Sequence, residues 1–337
     1  MICDQEFSLA SLDVPLKGEL AGIYPSIAVD HVIDKGSGLW SKVVNLDLCD
    51  RASLSSLMGN LSFIQSLSPF RLESDDTAKS TTFPGANLSL PLKVKLNQTS
   101  LTFSYKLTPY GSAFDVMEEK GRGFSEAAVA AIIARALKCV EPLHDKQILH
   151  RNLCARHLLL VPDDASEIRL VLCGLGSLGI FPPAYFGVSR NDLPPVDHAW
   201  RGWQVPSPNT KEPSVCSHPA AWYAPEVIAQ DFLGYSSPAD IYSLGLTLAE
   251  MFTGTAPYNG LSLSMITLKT LLNMEVPSLD CEGTDQQPSE GMQEVYSICT
   301  QHRPKRRPTA KQLLQHPWLQ WGLSLPLTKQ LIYDKKD

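Results

Sequence analysis

The stretch that most constrains this chain is Ser237–Gly254. From Asp240 to Thr253 it is apolar on nearly every side. A helix with no polar face has to be enclosed by the rest of the protein. Its start is marked by Ser237 as N-cap, Pro238 in the first turn and Asp240 reaching back to the cap. Gly254 closes it. A buried central helix needs a large body around it, and 337 residues supply one large or two modest domains.

The composition fits such a body: 44% hydrophobic and 19% charged residues, far from the profile of a disordered chain. A net charge of −6 gives no footprint for nucleic acid or an anionic membrane, so neither is expected as a partner. The longest apolar run, Ala127–Val140, is cut by Arg135 and Lys138 and does not make a membrane span. The eight cysteines form no C-x-x-C pair, which argues against a disulfide or zinc framework and for a reducing compartment. The acidic, interrupted start MICDQEFSLASLDVP carries no expectation of a secretory signal. A cytoplasmic protein is expected.

Taken in order, residues 1–15 read as a flexible leader. Strand-like stretches follow at Ser26–Ile33, Leu39–Leu48, Leu90–Leu96 and Leu101–Leu107. The last two flank the turn cluster Asn97-Gln98-Thr99-Ser100 and predict a hairpin. Ala52–Leu67 has apolar residues at helical spacing, and residues 68–89 read as a long loop. Pro109-Tyr110-Gly111-Ser112 punctuates the chain. A helix is predicted from about Ser125 to His144, with Pro142 in its last turn. Two short strands, His157–Val161 and Ile168–Leu172, are joined by an Asp-rich turn. Phe181–Pro225 holds nine prolines and reads as irregular. Phe181, Tyr185, Trp200 and Trp203 in it are residue types enriched at binding hot spots and are expected partner contacts; the alternative is that Trp200 and Trp203 fold back as core of the large lobe.

Four motifs then appear in a fixed order: the loop Ile148–Val161, Tyr223-Ala224-Pro225-Glu226, Asp240-Ile241-Tyr242-Ser243-Leu244-Gly245, and Arg307-Pro308-Thr309-Ala310 with His316-Pro317-Trp318-Leu319. Together they resemble the large lobe of the protein kinases. The resemblance implies an α+β, bilobal protein-kinase-like fold. A small β-rich lobe would cover 16–108, a larger mainly helical lobe 109–320, and a C-terminal tail 321–337. It also implies structural roles for His150, Arg151 and Asp240, and a structural pair between Glu226 and Arg307.

The same resemblance implies that the parts for chemistry are missing. The loop pattern H-R-D-x-x-x-x-N stands here as His150-Arg151-Asn152-Leu153-Cys154-Ala155-Arg156-His157. Asn152 holds the base position, and an amide takes no hydroxyl proton near neutral pH. His157 holds a magnesium-ligand position, although magnesium prefers oxygen. The second metal position is Gly174, which has no carboxylate. Lys42 is the best-placed phosphate lysine, but its glutamate partner position falls at Asn60. The Gly-rich phosphate loop is absent from Ala21-Gly22-Ile23-Tyr24-Pro25. Cys154, His157 and Cys173 make an alternative zinc constellation, with irregular spacing and no evident fourth ligand.

A closer resemblance rests on Tyr110-Gly111-Ser112-Ala113, the loop ending in His157, Gly174-Leu175, and Val44-Asn45-Leu46-Asp47. These resemble the sterile-20-related kinase adaptor (STRAD-type) pseudokinases over about residues 16–320. The resemblance implies an inert adaptor that binds, relocates and allosterically activates a Ser/Thr protein kinase, the tumour-suppressor kinase upstream of the AMP-sensing kinases. It implies a helical-repeat scaffold as a second partner, and shuttling between nucleus and cytoplasm. No cofactor is required in this reading; ATP binding without magnesium is the family's option, with Lys42 and His157 as candidate contacts. Cys154 and Gly176 replace residues that would meet phosphate, and Leu331–Asp337 lacks the family's Trp-Glu-Phe docking tail. The rival readings are a weakly active atypical Ser/Thr kinase and a pseudokinase scaffold of another line.

Overall fold

The computed structural model describes residues 29–34, 39–47, 87–89, 93–106, 108–163, 167–174, 179–180, 219–229, 236–274, 276–280 and 286–333. The chain divides into two compact units, Met1–Thr81 with Leu90–Leu107, and Thr82–Ser89 with Thr108–Asp337.

The smaller unit contains an antiparallel sheet of β1 (Val29–Asp34), β2 (Leu39–Asn45), β3 (Lys93–Leu96) and β4 (Ser100–Lys106), in the order β1-β2-β4-β3. The predicted hairpin is β3–β4, closed by Asn97 N–H donating to the Ser100 carbonyl at 2.8 Å. Strand alternation puts Leu101 and Phe103 on a buried face, and Val44 of β2 stands opposite Leu101. Lys42 sits in β2, in register with His31 and Phe103. The leader, the expected phosphate loop and the helix read at Ala52–Leu67 lie outside the described residues.

The larger unit is mainly helical. In chain order it holds α1 (Ala113–Lys120), α2 (Glu126–Asp145), β5 (Ile148–Leu149), β6 (Leu158–Pro162), β7 (Ile168–Leu172), β8 (Gly179–Ile180), α3 (Pro225–Ile228) and α4 (Pro238–Thr253). Then come α5 (Leu263–Leu271), α6 (Glu290–Cys299), α7 (Ala310–Leu313), α8 (Pro317–Ser324) and α9 (Lys329–Tyr333). β6 pairs with β7 and β5 with β8, both antiparallel. No helix among the described residues is long and apolar enough to cross a membrane.

α4 is the centre that its sequence requires: every residue from Ala239 to Phe252 is buried. Gly254 ends it at φ +74°, donating its N–H to the Glu250 carbonyl. A Cβ on Gly245 would stand 2.8 Å from Cys299 Cβ, so only glycine lets α6 lie this close. The start differs from the expectation. Ser237 is itself helical and so makes no side-chain cap bond, and the Asp240 carboxylate does not reach back to it but is turned to the loop at 150.

Three other expectations are corrected. α1 is an element beyond those expected; it is nucleated by a capping box between Ser112 and Asp115 and closed by Gly121 at φ +64°. Asn87–Ser89, expected as the end of a loop, instead pairs with β7 in the larger unit: Leu172 donates to Asn87 and Ser89 donates to Leu172, both at 2.8 Å. Residues 321–333 of the expected tail are part of the body. Arg135 donates to the carbonyls of Gly322 and Leu325 at 3.2 and 2.8 Å. Leu327 and Ile332 are wholly buried. A half-buried guanidinium held by carbonyls in this way fastens α8 and the chain beyond it to α2.

Candidate functional site

The loop between β5 and β6 is fixed from below by one carboxylate. Asp240 at the start of α4 accepts the backbone N–H of His150 and of Arg151, each at 2.8 Å, and takes His144 Nε2 at 2.9 Å. Burial works to raise the Asp240 pKa, but these bonds and the neighbouring histidines win and hold the carboxyl below its usual value. Arg151 needs this anchor. Its φ of +63° lies in the left-handed region, which costs a non-glycine residue about 1–3 kcal/mol. Two charge-assisted bonds offset that strain.

His150 is fully buried and gives its Nε2–H to the Cys173 carbonyl at 2.7 Å. Its Nδ1 is buried and has no hydrogen-bond partner among the described residues. Burial lowers its pKa, with Asp240 and the Cys173 carbonyl opposing, so the ring is neutral. It ties the loop to the strand end that carries Gly174.

His157 closes the loop. Its Nδ1 lies 2.6 Å from the Asn152 carbonyl and 3.2 Å from Cys154 Sγ. The short contact to a carbonyl oxygen places the proton on Nδ1. The ring lies directly over Gly174. A Cβ built there would stand 2.7 Å from His157 Cδ2, 2.8 Å from Cγ and 3.0 Å from Nε2. Gly174 has φ +82°, so side chains are disfavoured by conformation as well as by space. The positions that the kinase resemblance gives to the two metal ligands therefore fill one another: the imidazole of one takes the room of the other's side chain. The base position, Asn152, supplies the carbonyl that holds this ring.

The alternative zinc constellation does not assemble. His157 Nδ1 directs its proton at a carbonyl, and the described residues contain no group of three or more His, Cys, Asp or Glu able to hold a metal ion. Burial pushes the thiol of Cys154 far above its usual range and that of Cys173 up to about 12.

Two further anchors surround the loop. Arg307 donates to both oxygens of Glu226, at 2.6 and 2.9 Å, and to the carbonyls of Gln301, His302 and Pro238. This is the pair that the motifs imply, buried and bidentate. The other anchor is absent from the sequence reading. Glu250 of α4 accepts the Ala155 N–H and the Trp222 indole N–H, each at 3.0 Å and both on Oε2. Burial raises the Glu250 pKa to about 7, against the pull of those two donors. A second acid, deep inside an apolar helix whose first turn already holds Asp240, is the signal that could have found it. Phe181, Tyr185, Trp200 and Trp203 lie outside the described residues. Lys42 lies in the other unit, and its strand is the observation that bears on it.

A β-rich small unit, a mainly helical large one, and a loop fastened to a buried central helix define a protein-kinase-like α+β fold. A family model described as "Protein kinase domain" matches residues 203–319. The chain is similar to Serine/threonine-protein kinase 10 of Rattus norvegicus, 29% identical over 231 residues, covering 68% of this chain and 20% of that protein. The same-named protein of Homo sapiens matches at 29% over 231 residues, covering 68% and 20%. Germinal center kinase 3 of Caenorhabditis elegans is 28% identical over 243 residues, covering 67% and 36%. The match thus spans from a fifth to about a third of these relatives' own length.

Proposed function

We propose that this protein is a catalytically silent pseudokinase that acts as an adaptor, binding a Ser/Thr protein kinase and biasing it toward its active state. One observation carries the silence: His157 lies over Gly174, so imidazole and glycine fill the space where a kinase places oxygen ligands for magnesium. Magnesium does not fit that donor set. Asn152 adds no proton acceptor, and its carbonyl is engaged by His157. Cys154, at the loop position where the adaptor resemblance puts a phosphate contact, is a buried neutral thiol.

The adaptor half of the reading follows from what has been kept. The Asp240 anchor and the Glu226–Arg307 pair hold the loop and α3 without serving chemistry. A fold that keeps its scaffold while losing base and metal ligands retains value as a surface, and differential binding to one state of a partner is sufficient to shift that partner's equilibrium. In this reading Phe181, Tyr185, Trp200 and Trp203 supply the contacts, by residue type. ATP, if taken up, is held without magnesium, and a helical-repeat scaffold is the second partner.

The test is affinity purification of the full chain from cells with identification of bound proteins, followed by assay of the recovered kinase with and without added pseudokinase. Recovery of a Ser/Thr kinase whose activity rises with the added protein is the expected result. A chain that recovers no kinase, or one that leaves the kinase's activity unchanged, overturns the adaptor role.

A further inference from the structure

The densest positive charge among the described residues of the larger unit lies after α6. From Val295 to Tyr333 the chain has no acidic residue, within a protein of net charge −6. Over the same span it has Arg303, Lys305, Arg306, Arg307, Lys311 and Lys329. Arg307 is buried and engaged with Glu226 and three carbonyls. Arg303, Lys305, Arg306 and Lys311 are exposed, and none makes an ion pair or side-chain hydrogen bond among the described residues.

These four side chains stand on a backbone that is already fixed. Arg306 N–H donates to the Arg303 carbonyl and Arg307 N–H to the Pro304 carbonyl, each at 3.0 Å, closing a tight turn over Pro304–Arg306. Pro304 and Pro308 lock two φ angles. The Arg307 guanidinium reaches back to the carbonyls of Gln301 and His302, and so ties the turn to α3 and α4. Thr309 and Gln312 form a capping box that sets the next turn, where Lys311 lies. The backbone that carries the cations has no further freedom to lose when an anion binds, so the ordering cost is confined to the side chains.

We propose that the turn at Arg303–Lys311 is a docking surface for an acidic, Asp/Glu-rich segment of a partner protein. Open, exposed cations of mixed Lys and Arg type suit carboxylates spread along a peptide. A phosphate monoester is better matched by a fork of donors converging in a pocket. The large cavity in this unit is lined by other residues, such as Arg122, Tyr258 and Asp280. The net negative charge of the whole protein disfavours duplex nucleic acid and anionic membrane, which present far more charge over a wider area than one short turn can meet. The surface is independent of the loop at 150–157, and stands whether or not the chain is catalytically silent.

The test uses the full chain and a fluorescein-labelled oligoglutamate peptide, followed by anisotropy at low and moderate salt. Binding is expected at about 0.01 M salt and should weaken at least about tenfold by about 0.1 M, as the screening length falls from about 30 to about 10 Å. The triple variant Arg303→Gln/Lys305→Gln/Arg306→Gln should lose binding with an unchanged melting temperature, because these exposed side chains make no hydrogen bond or ion pair among the described residues. Lys138→Gln, a single exposed cation on α2, should bind like the parent. Equal binding by the triple variant and the parent overturns the proposal. So does capture of the parent by anionic phosphatidylserine vesicles or duplex DNA without binding of the peptide.

Discussion

Substituting Gly174 by alanine is the sharpest probe of the interlocked loop. Two costs add at that position. A non-glycine residue at φ +82° pays about 1–2 kcal/mol for the left-handed conformation. Its Cβ would also stand 2.7–3.0 Å from His157 Cδ2, Cγ and Nε2, so the ring has to move. Moving it breaks the part-buried 2.6 Å bond from Nδ1 to the Asn152 carbonyl, which costs about 1–3 kcal/mol. Gly174→Ala should therefore destabilise by about 2–5 kcal/mol, a fall in melting temperature on the order of 5–15 °C for a domain of this size. The assay is urea denaturation of the parent, Gly174→Ala, His157→Ala and the double variant. With the ring removed, the second substitution should cost only the conformational part. A coupling energy of about 1–3 kcal/mol is the signature. Additive effects, or a neutral Gly174→Ala, refute the interlock.

Removing either partner of the Glu226–Arg307 pair leaves a buried charge, so Glu226→Ala and Arg307→Ala should each cost about 3–5 kcal/mol; the double variant, by chemical denaturation, should cost well under their sum. Glu250 gives a pH signature. Its folded pKa is raised from 4.5 to about 7, so its favourable contribution is full below 4.5 and is lost as pH rises through about 7, at about 1.4 kcal/mol for each pH unit between the two values. Glu250→Gln, which keeps acceptors for Ala155 and Trp222, should gain on the parent by about 3 kcal/mol over that window; parallel stability–pH profiles contradict this. Thermal-shift titration with ATP should give the same response with and without magnesium, because the loop offers the metal no oxygen ligand beyond carbonyls; a shift seen only with magnesium contradicts it.

Much of the larger unit is legible in the sequence because its signals are local and redundant. The all-round apolarity of Asp240–Thr253 requires a buried helix, and the stretch is one, ended by Gly254. The Glu226–Arg307 pair is what the resemblance to the protein kinases implies for two of the motifs. What escapes the sequence are choices between two partners for one group. Asp240 has the residue type and place of a capping acid, but two backbone N–H groups some ninety positions earlier hold it more strongly. Arg135 has the look of an interruption in an apolar run; it is the residue that binds the carbonyls of Gly322 and Leu325. Ser112-x-x-Asp115 is a capping box in plain sight, hidden by the turn cluster before it. The contact of His157 with Gly174 has no sequence signal at all: neither periodicity nor spacing tells that one residue's ring fills another's missing side chain.

The central claim, a kinase-like fold without phosphoryl transfer, is tested most directly by incubating the pure protein with γ-labelled ATP, magnesium or manganese, and a generic protein substrate. Loss of the general base and of electrostatic stabilisation each removes on the order of 10² or more in rate. The expected result is no label above background in the protein itself or in the substrate, and no difference between the parent and Lys42→Ala. Metal-dependent incorporation by the parent that Lys42→Ala abolishes would contradict it.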